Sequence, residues 1–432
     1  MKQFKGFKFR QRTGDKEPEQ RFPVHLPLSP YQLWFTIGLL LSVLLFWVSL
    51  SAGVRESDIA ELVWSSNRLA FDLYQALRDE STDLFYSPYS ISLALAMTYA
   101  GAKGDTEQEM ADALHFTLPQ ERLHAAFRDL NRSLVACGEN GLRLYIVSSM
   151  WGQADHLFLS EFLTLLNESY GTGLRELDFR GDPEGSREAI NQWVSEETEG
   201  MIQELIPPGG ITTLTRLVLG NGVYFKAGWL YPFDKAHTSD GVFHLLDGQE
   251  VLVPMMRRKA RLGYAAGAGW QAIELPYGGG ETAMVIFLPR RERFEEFEST
   301  LTAQWVGEII AILEKRDVCL TMPKFAYEAG LELKGALTEL GMEAAFQPMK
   351  ADFSGIDGTR DLYLDEVFHK AFITVDEAGT EAAAATAAVI STKTSPVQEP
   401  CLEVKVDRPF FLLIRDVRTE VILFMGRVLD PR

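Results

Sequence analysis

Side chains that carry catalysis are present in this chain but do not gather. Histidines stand at positions 25, 115, 124, 156, 237, 244 and 369, and the cysteines are Cys137, Cys319 and Cys401. No two histidines share the His-Glu-x-x-His spacing that puts two ring nitrogens on one helix face, and no Cys-x-x-Cys pair is there to hold zinc. A Gly-x-Ser-x-Gly elbow and a phosphate loop are missing as well. Gly278-Gly279-Gly280 lacks the Lys and Ser/Thr that would follow in a phosphate loop, and reads as a hairpin turn. Nothing in these patterns points to an enzyme, a metal or a cofactor.

One stretch does follow a rule. From Glu377 the chain reads Glu-Ala-Gly-Thr-Glu-Ala-Ala-Ala-Ala-Thr-Ala-Ala, then Val389-Ile390-Ser391-Thr392, and reaches a basic site at Lys393-Thr394-Ser395. It has no proline, and no long aliphatic side chain precedes Val389. Propensity alone makes Glu381 to Ala388 a helix, yet it has no apolar stripe to anchor one. Small side chains have another use: they fit a tight slot between existing strands. A flexible Ala-rich linker is the plain alternative.

Such a segment needs a body to hold it. The chain has 432 residues, 46% hydrophobic and 24% charged, which suits a globular protein with a large core. Net charge is −18. Within residues 1–30, seven cations (Lys2, Lys5, Lys8, Arg10, Arg12, Lys16, Arg21) face three anions (Asp15, Glu17, Glu19), giving +4 and leaving −22 for the remainder. A body this acidic argues against nucleic acid as partner. Leu33 to Leu50 is uncharged. Eighteen helical residues reach about 27 Å, close to the hydrocarbon thickness of a bilayer. Residues 31–54 are therefore expected as a transmembrane anchor or a signal peptide, behind a basic cytoplasmic tail of residues 1–30 that places the body outside. Three cysteines make no disulfide framework, and free buried thiols are expected, with one chance pair left open.

From 56 to 432 a single domain is expected. Ser57 to Arg78 repeats apolar residues at helical spacing, and Ser90 to Ala100 is apolar nearly all round, the mark of a central buried helix. Thr106-Glu107-Gln108-Glu109 reads as a capping box. A strand is expected over Leu142 to Met150 and a helix over Ser186 to Glu199. Beyond about residue 210 strands dominate, with Pro254, Pro276, Pro289 and Pro323 as their bounds. Helices early and strands late suggest a mixed α/β (α+β) body with large sheets. Two basic clusters, Arg257-Arg258-Lys259 with Arg261 and Arg290-Arg291 with Arg293, read as solvated turns; a polyanion site is the other reading.

From about Asn67 to Arg432 the chain resembles the serpins. The resemblance is carried by Phe85-Tyr86-Ser87-Pro88-Tyr89-Ser90-Ile91-Ser92, Asn221-Gly222-Val223-Tyr224-Phe225-Lys226-Ala227-Gly228-Trp229, Glu274-Leu275-Pro276-Tyr277, Met322-Pro323-Lys324-Phe325, Asp407-Arg408-Pro409-Phe410-Phe411 and Phe424-Met425-Gly426-Arg427-Val428. It implies a fold of about three β-sheets and eight or nine helices, with an exposed reactive-centre loop over about residues 377–400. It also implies a monomeric inhibitor that acts as a suicide substrate. A protease cuts the loop and is held as an acyl-enzyme in a one-to-one complex, while the loop inserts into a central sheet as a new strand. Serpins are themselves a standard example of strand addition to a sheet and of strain released on cleavage, so these general rules illustrate the step without testing it.

The family's spacing, counted from Glu377, puts the scissile bond at Lys393–Thr394, with Thr392 and Thr394 as neighbouring candidates for the bait residue. A basic bait residue implies a trypsin-like target. The hinge falls on Glu377, Gly379, Thr380, Glu381, Ala382, Ala383, Ala384, Ala385 and Thr386. Strand periodicity then turns Thr380, Ala382, Ala384 and Thr386 inward, all of them small and uncharged. Ser87, Ser90, Asn221 and His369 match the family's polar cluster beneath the opening sheet, and Gly228 and Trp229 match the point of entry. Between Lys393 and Asp407 the chain is several residues longer than is common, and Cys401 within it is unusual. A serpin that is cut without trapping, and serves as a binding or chaperone-like protein, is the alternative; the hinge composition argues against it.

Overall fold

A computed structural model of the chain describes residues 56–79, 82–136, 143–380 and 401–432. The basic tail, the apolar segment 31–54, Cys137 and the loop from Glu381 to Pro400 lie outside the described residues. Residues from 56 onward belong to one compact unit, Arg55–Arg432.

The first helix, α1, spans residues 56–77. Helix α2 (Pro88–Tyr99) begins where Ser87 accepts a hydrogen bond from the Ser90 amide and Pro88 takes the first turn, and all twelve of its residues are buried. Helix α3 (Gly104–Ala113) starts earlier than its sequence suggests. Thr106 lies inside it and is no cap; its hydroxyl accepts instead from the Asp352 amide at 2.9 Å. Helices α4 (Gln120–Ala136), α5 (Ser160–Tyr170) and α6 (Pro183–Glu197) follow.

The strands in order are β1 (Leu84–Tyr86), β2 (Arg143–Gln153), β3 (Leu174–Leu177), β4 (Leu217–Gly228), β5 (Ser239–His244), β6 (Glu250–Gly267), β7 (Trp270–Pro276) and β8 (Thr282–Pro289). After these come β9 (Glu314–Pro323), β10 (Phe325–Glu332), β11 (Val367–Val375), β12 (Gly379–Thr380), β13 (Leu402–Lys405), β14 (Phe410–Asp416) and β15 (Ile422–Val428). They form a six-stranded sheet, β10-β11-β12-β4-β2-β3, and a nine-stranded sheet along β1-β15-β14-β8-β7-β6-β9-β13 with β5 on β6. The described residues thus hold two hydrogen-bonded sheets where the resemblance implies about three. The reason is β6: its eighteen residues bond β5 at one end, β9 along the middle and β7 at the other end, so two expected sheets are continuous. Pro254 does not end this strand, and Arg257, Lys259 and Arg261 stand on it rather than in turns. Two helices, Phe294–Ser299 and Ser354–Asp357, run six residues or fewer, too short to show a helical period in sequence.

Gly220-Asn221-Gly222 lies within β4, which runs unbroken through both glycines. A Cβ on Gly220 would meet Trp151 at 2.7 Å and Leu205 at 2.9 Å, and one on Gly222 would press on Val194 and Ile202. The two glycines therefore let α6 and the segment after it lie close on one face, while strand alternation turns Asn221 to the other. Asn191 fixes that segment. Its side-chain oxygen accepts from the Leu205 and Ile206 amides, and its nitrogen donates to the Ile206 carbonyl, all at 2.9 Å. Asn191→Ala strands these buried backbone groups and is expected to cost about 1–3 kcal/mol, read as a lower urea midpoint with an unchanged m-value.

Candidate functional site

The site lies where β4 and β11 part. The two strands are parallel neighbours from Val367 opposite Leu219 to Phe372 opposite Tyr224. Beyond that they separate, and the short β12 fills the gap. Gly379 pairs with Gly228 and Thr380 with Ala227 on one side, and Thr380 pairs with Val375 on the other. The leading residues of the loop are therefore already a strand, buried rather than exposed as the resemblance implies for the loop.

Each contact there has a physical reason. A Cβ on Gly379 would sit 2.1 Å from the Ala227 carbonyl oxygen, so only glycine allows this approach. Thr380 is fully buried, and its hydroxyl satisfies itself against the Tyr277 hydroxyl at 2.8 Å. Tyr277 stacks on Trp229 with ring centres 4.5 Å apart. The Trp229 indole donates to the Asp376 carbonyl at 3.0 Å, and its amide donates to the Ala378 carbonyl at 2.9 Å. The Asp376 carboxylate accepts from the Ala378 and Gly379 amides, closing the turn that aims the chain into the gap. Glu377 is buried, and its carboxylate takes a hydrogen bond from Lys324 Nζ at 2.9 Å and one from the Thr238 hydroxyl at 2.8 Å. Burial disfavours its charge, but those two bonds, its own backbone amide and the Lys324 charge together outweigh burial and hold its pKa below the ordinary carboxylate value.

Beneath this lies the polar cluster. Ser87, Ser90, Asn221 and His369 come together from three segments, the start of α2, β4 and β11, and all are buried. The Ser87 amide donates to His369 Nε2 at 3.1 Å, so that nitrogen carries the lone pair and Nδ1 carries the proton. Nδ1 then donates to Asn221 Oδ1 at 2.5 Å, which fixes the amide orientation. Asn221 Nδ2 in turn donates to the Ser90 and Ser148 hydroxyls. Burial pushes the His369 pKa down to about 3, so the ring is neutral at physiological pH. The Ser87 link depends on that neutral tautomer, since a protonated ring has no acceptor for the Ser87 amide.

Sequence reasoning did not single out Asp376, Thr238 or Ser148, nor give Tyr277 and Lys324 a role. Only the Asp-Glu-Ala-Gly turn signal was available for Asp376; the other four meet the hinge or the cluster from distant parts of the chain. Glu381 through Thr386, Lys393 and Thr394 lie outside the described residues. Arg257 and Arg261 are exposed on β6, and Arg290, Arg291 and Arg293 are exposed after β8. No group of His, Cys, Asp and Glu among the described residues is arranged to hold a metal ion. The cysteine expectation is corrected: Cys319 and Cys401 form a disulfide, half-buried, with Cα atoms 5.7 Å apart, a spacing that suits the bond. The spacing of 82 residues hid it; β13 pairing beside β9 creates it.

A mixed α+β protein whose loop begins as a strand inside its own sheet is a distinctive class, and similarity agrees with it. A model of the serpin (serine protease inhibitor) family matches residues 65–431. An uncharacterized serpin-like protein of Thermococcus kodakarensis is 38% identical over 380 residues, 88% of each chain. Antithrombin-III of Mus musculus is 37% identical over 382 residues, 86% of this chain and 82% of its own. The thermophilic serpin tengpin in its native state matches with a TM-score of 0.77 at 30% identity, over 85% of this chain and 94% of that one. The chain belongs to the serpin family.

The buried histidine sets a pH dependence. With a folded pKa of about 3 against an ordinary 6.5, folded His369 binds fewer protons than unfolded His369 between those values. Its contribution to stability is therefore complete above pH 6.5 and is lost as pH falls toward 3, at up to about 1.4 kcal/mol per pH unit. His124, lowered to about 4 by burial, acts in the same direction. Urea midpoints measured from pH 7.5 to 4.5 are expected to fall for the native protein and to fall less steeply for His369→Gln.

Proposed function

We propose that this serpin is an inhibitory one, a suicide substrate that traps a trypsin-like serine protease. The observation that carries the reading is β12: two loop residues already lie between β4 and β11, in a register that the following small residues can extend. Continuing that register sets Ala382, Ala384 and Thr386 opposite Phe225, Val223 and Asn221. The growing strand then has to come between Asn221 and His369, which now share a hydrogen bond, and Thr386 brings a hydroxyl to the position where that bond is given up. The protease serine attacks the Lys393 carbonyl and the amide to Thr394 breaks. The chain up to Lys393 becomes the acyl group, while Thr394 keeps the new amine. This protein supplies no nucleophile; it supplies a strand that moves.

The same reading places the body outside the cell, displayed on residues 31–54 or released after their cleavage. No helix among the described residues is long and apolar enough to cross a membrane.

Incubating the purified protein with trypsin is expected to give a boiling-resistant band at the summed mass, and loop cleavage is expected to raise the melting temperature. Lys393→Ala should remove the trypsin complex without altering the melt of the intact protein. Thr380→Arg places a charge at a fully buried position and should leave a loop that is cut but does not trap. Clean cleavage by trypsin with an unchanged melt would refute inhibition by insertion.

A further inference from the structure

The disulfide joins the two sides of the proposed cut. Cys319 is on β9, in the body, and Cys401 immediately precedes β13, at the far end of the loop. Without it β13 has little to hold it. It pairs with β9 over four residues, and of its side chains only Val404 is buried, while Leu402, Glu403 and Lys405 are exposed. The bond lies in the nine-stranded sheet, on the side of the molecule where the hinge sits. Leu320, next to Cys319, lines a small cavity with Trp229 and Phe233, and Lys324 at the end of β9 reaches Glu377.

Chain length gives this position a consequence. Extending the register of β12 along β4 places residue 390 opposite Leu217, at the far end of the strand. An uncut loop must then return to Cys401. Climbing back from the level of Leu217 to that of Gly228 is eleven strand steps, about 36 Å. The eleven steps from residue 390 to Cys401 span at most about 36–40 Å when fully extended. Nothing is left to turn round the end of the sheet or to reach β9. If β13 peels away, the next fixed point is Val406, whose amide bonds Thr321. Sixteen steps then span about 53–58 Å, and the return becomes possible.

We propose that the Cys319–Cys401 disulfide is a covalent clamp on β13 that makes full loop insertion conditional on cleavage of the loop. A dithiol reductant opens the clamp by donating two electrons and two protons, leaving two thiols here and a disulfide on the reductant. Both cysteines are half-buried, within reach of such a reagent. Reduction thus releases the uncut loop to insert by itself and withdraws the bait. The clamp rests on the insertion mechanism proposed above.

The experiment compares the full-length native protein, the same protein held in dithiothreitol, and Cys319→Ser/Cys401→Ser. Native protein is first cut with trypsin; a rise in melting temperature establishes insertion, and an unchanged melt overturns insertion and the clamp together. Uncut samples are then incubated at a raised temperature, and aliquots are tested for cleavage of the loop by trypsin and for the melt of the uncut chain. The reduced and doubly substituted proteins should lose the cleavable loop several-fold faster than the native one, with the melting temperature rising while the chain stays intact. If cut protein gains stability but all three uncut samples keep the loop equally long, the clamp is refuted and insertion stands. Should the double variant fail to fold, the reduced native protein decides the question alone.

Discussion

The contact between β4 and β11 governs the rest of this molecule. It is a parallel ladder of six residue pairs, closed at one end by two loop residues and stitched beneath by a neutral histidine. Each buried polar atom in that stitch depends on its neighbour for a partner. The Ser87 amide needs the His369 lone pair, the ring proton needs Asn221, and the Asn221 amide needs Ser90 and Ser148. Burying any of these groups unpaired costs more than the net worth of the bond, so the closed arrangement is held by the penalty for breaking it halfway. A strand that enters the gap reverses this balance: one parallel ladder is exchanged for two antiparallel ones, and every backbone group on both flanks keeps a partner.

The hinge is poised by opposite means. Asp376 holds its turn, Glu377 is paired with Lys324 and Thr238, and Trp229 grips the backbone from two sides. These contacts fix the turn before β12 and its register on β4. They lie at the end of β4 away from Leu217, and the Cys319–Cys401 bond lies on the same side of the molecule. One end of the molecule therefore holds both flanks of the loop, the first by hydrogen bonds and ion pairing, the second by a covalent link.

Much of this was legible in the residues. The buried run from Ser90 to Ala100 announced α2, because a helix apolar on every face has only the core to occupy. The alternation from Thr380 onward pointed to a strand, and Thr380 is buried as that alternation requires. Elsewhere local rules misled. Thr106 looked like a cap but serves a distant amide, and Pro254 looked like a strand end but lies within β6. In each case tertiary packing overrode a propensity that is weak on its own.

The sequence by itself determined which segments are apolar, which are small, and where a strand of small residues could begin. Those properties are local, because periodicity and side-chain size are read within one segment. Only the tertiary structure decided that Lys324 neutralises Glu377, that Ser148 completes the histidine cluster, and that Cys319 and Cys401 are bonded. These pairings join residues between 53 and 82 positions apart, across strands whose adjacency no local pattern encodes. Sheet order, not spacing along the chain, brings them within reach of one another.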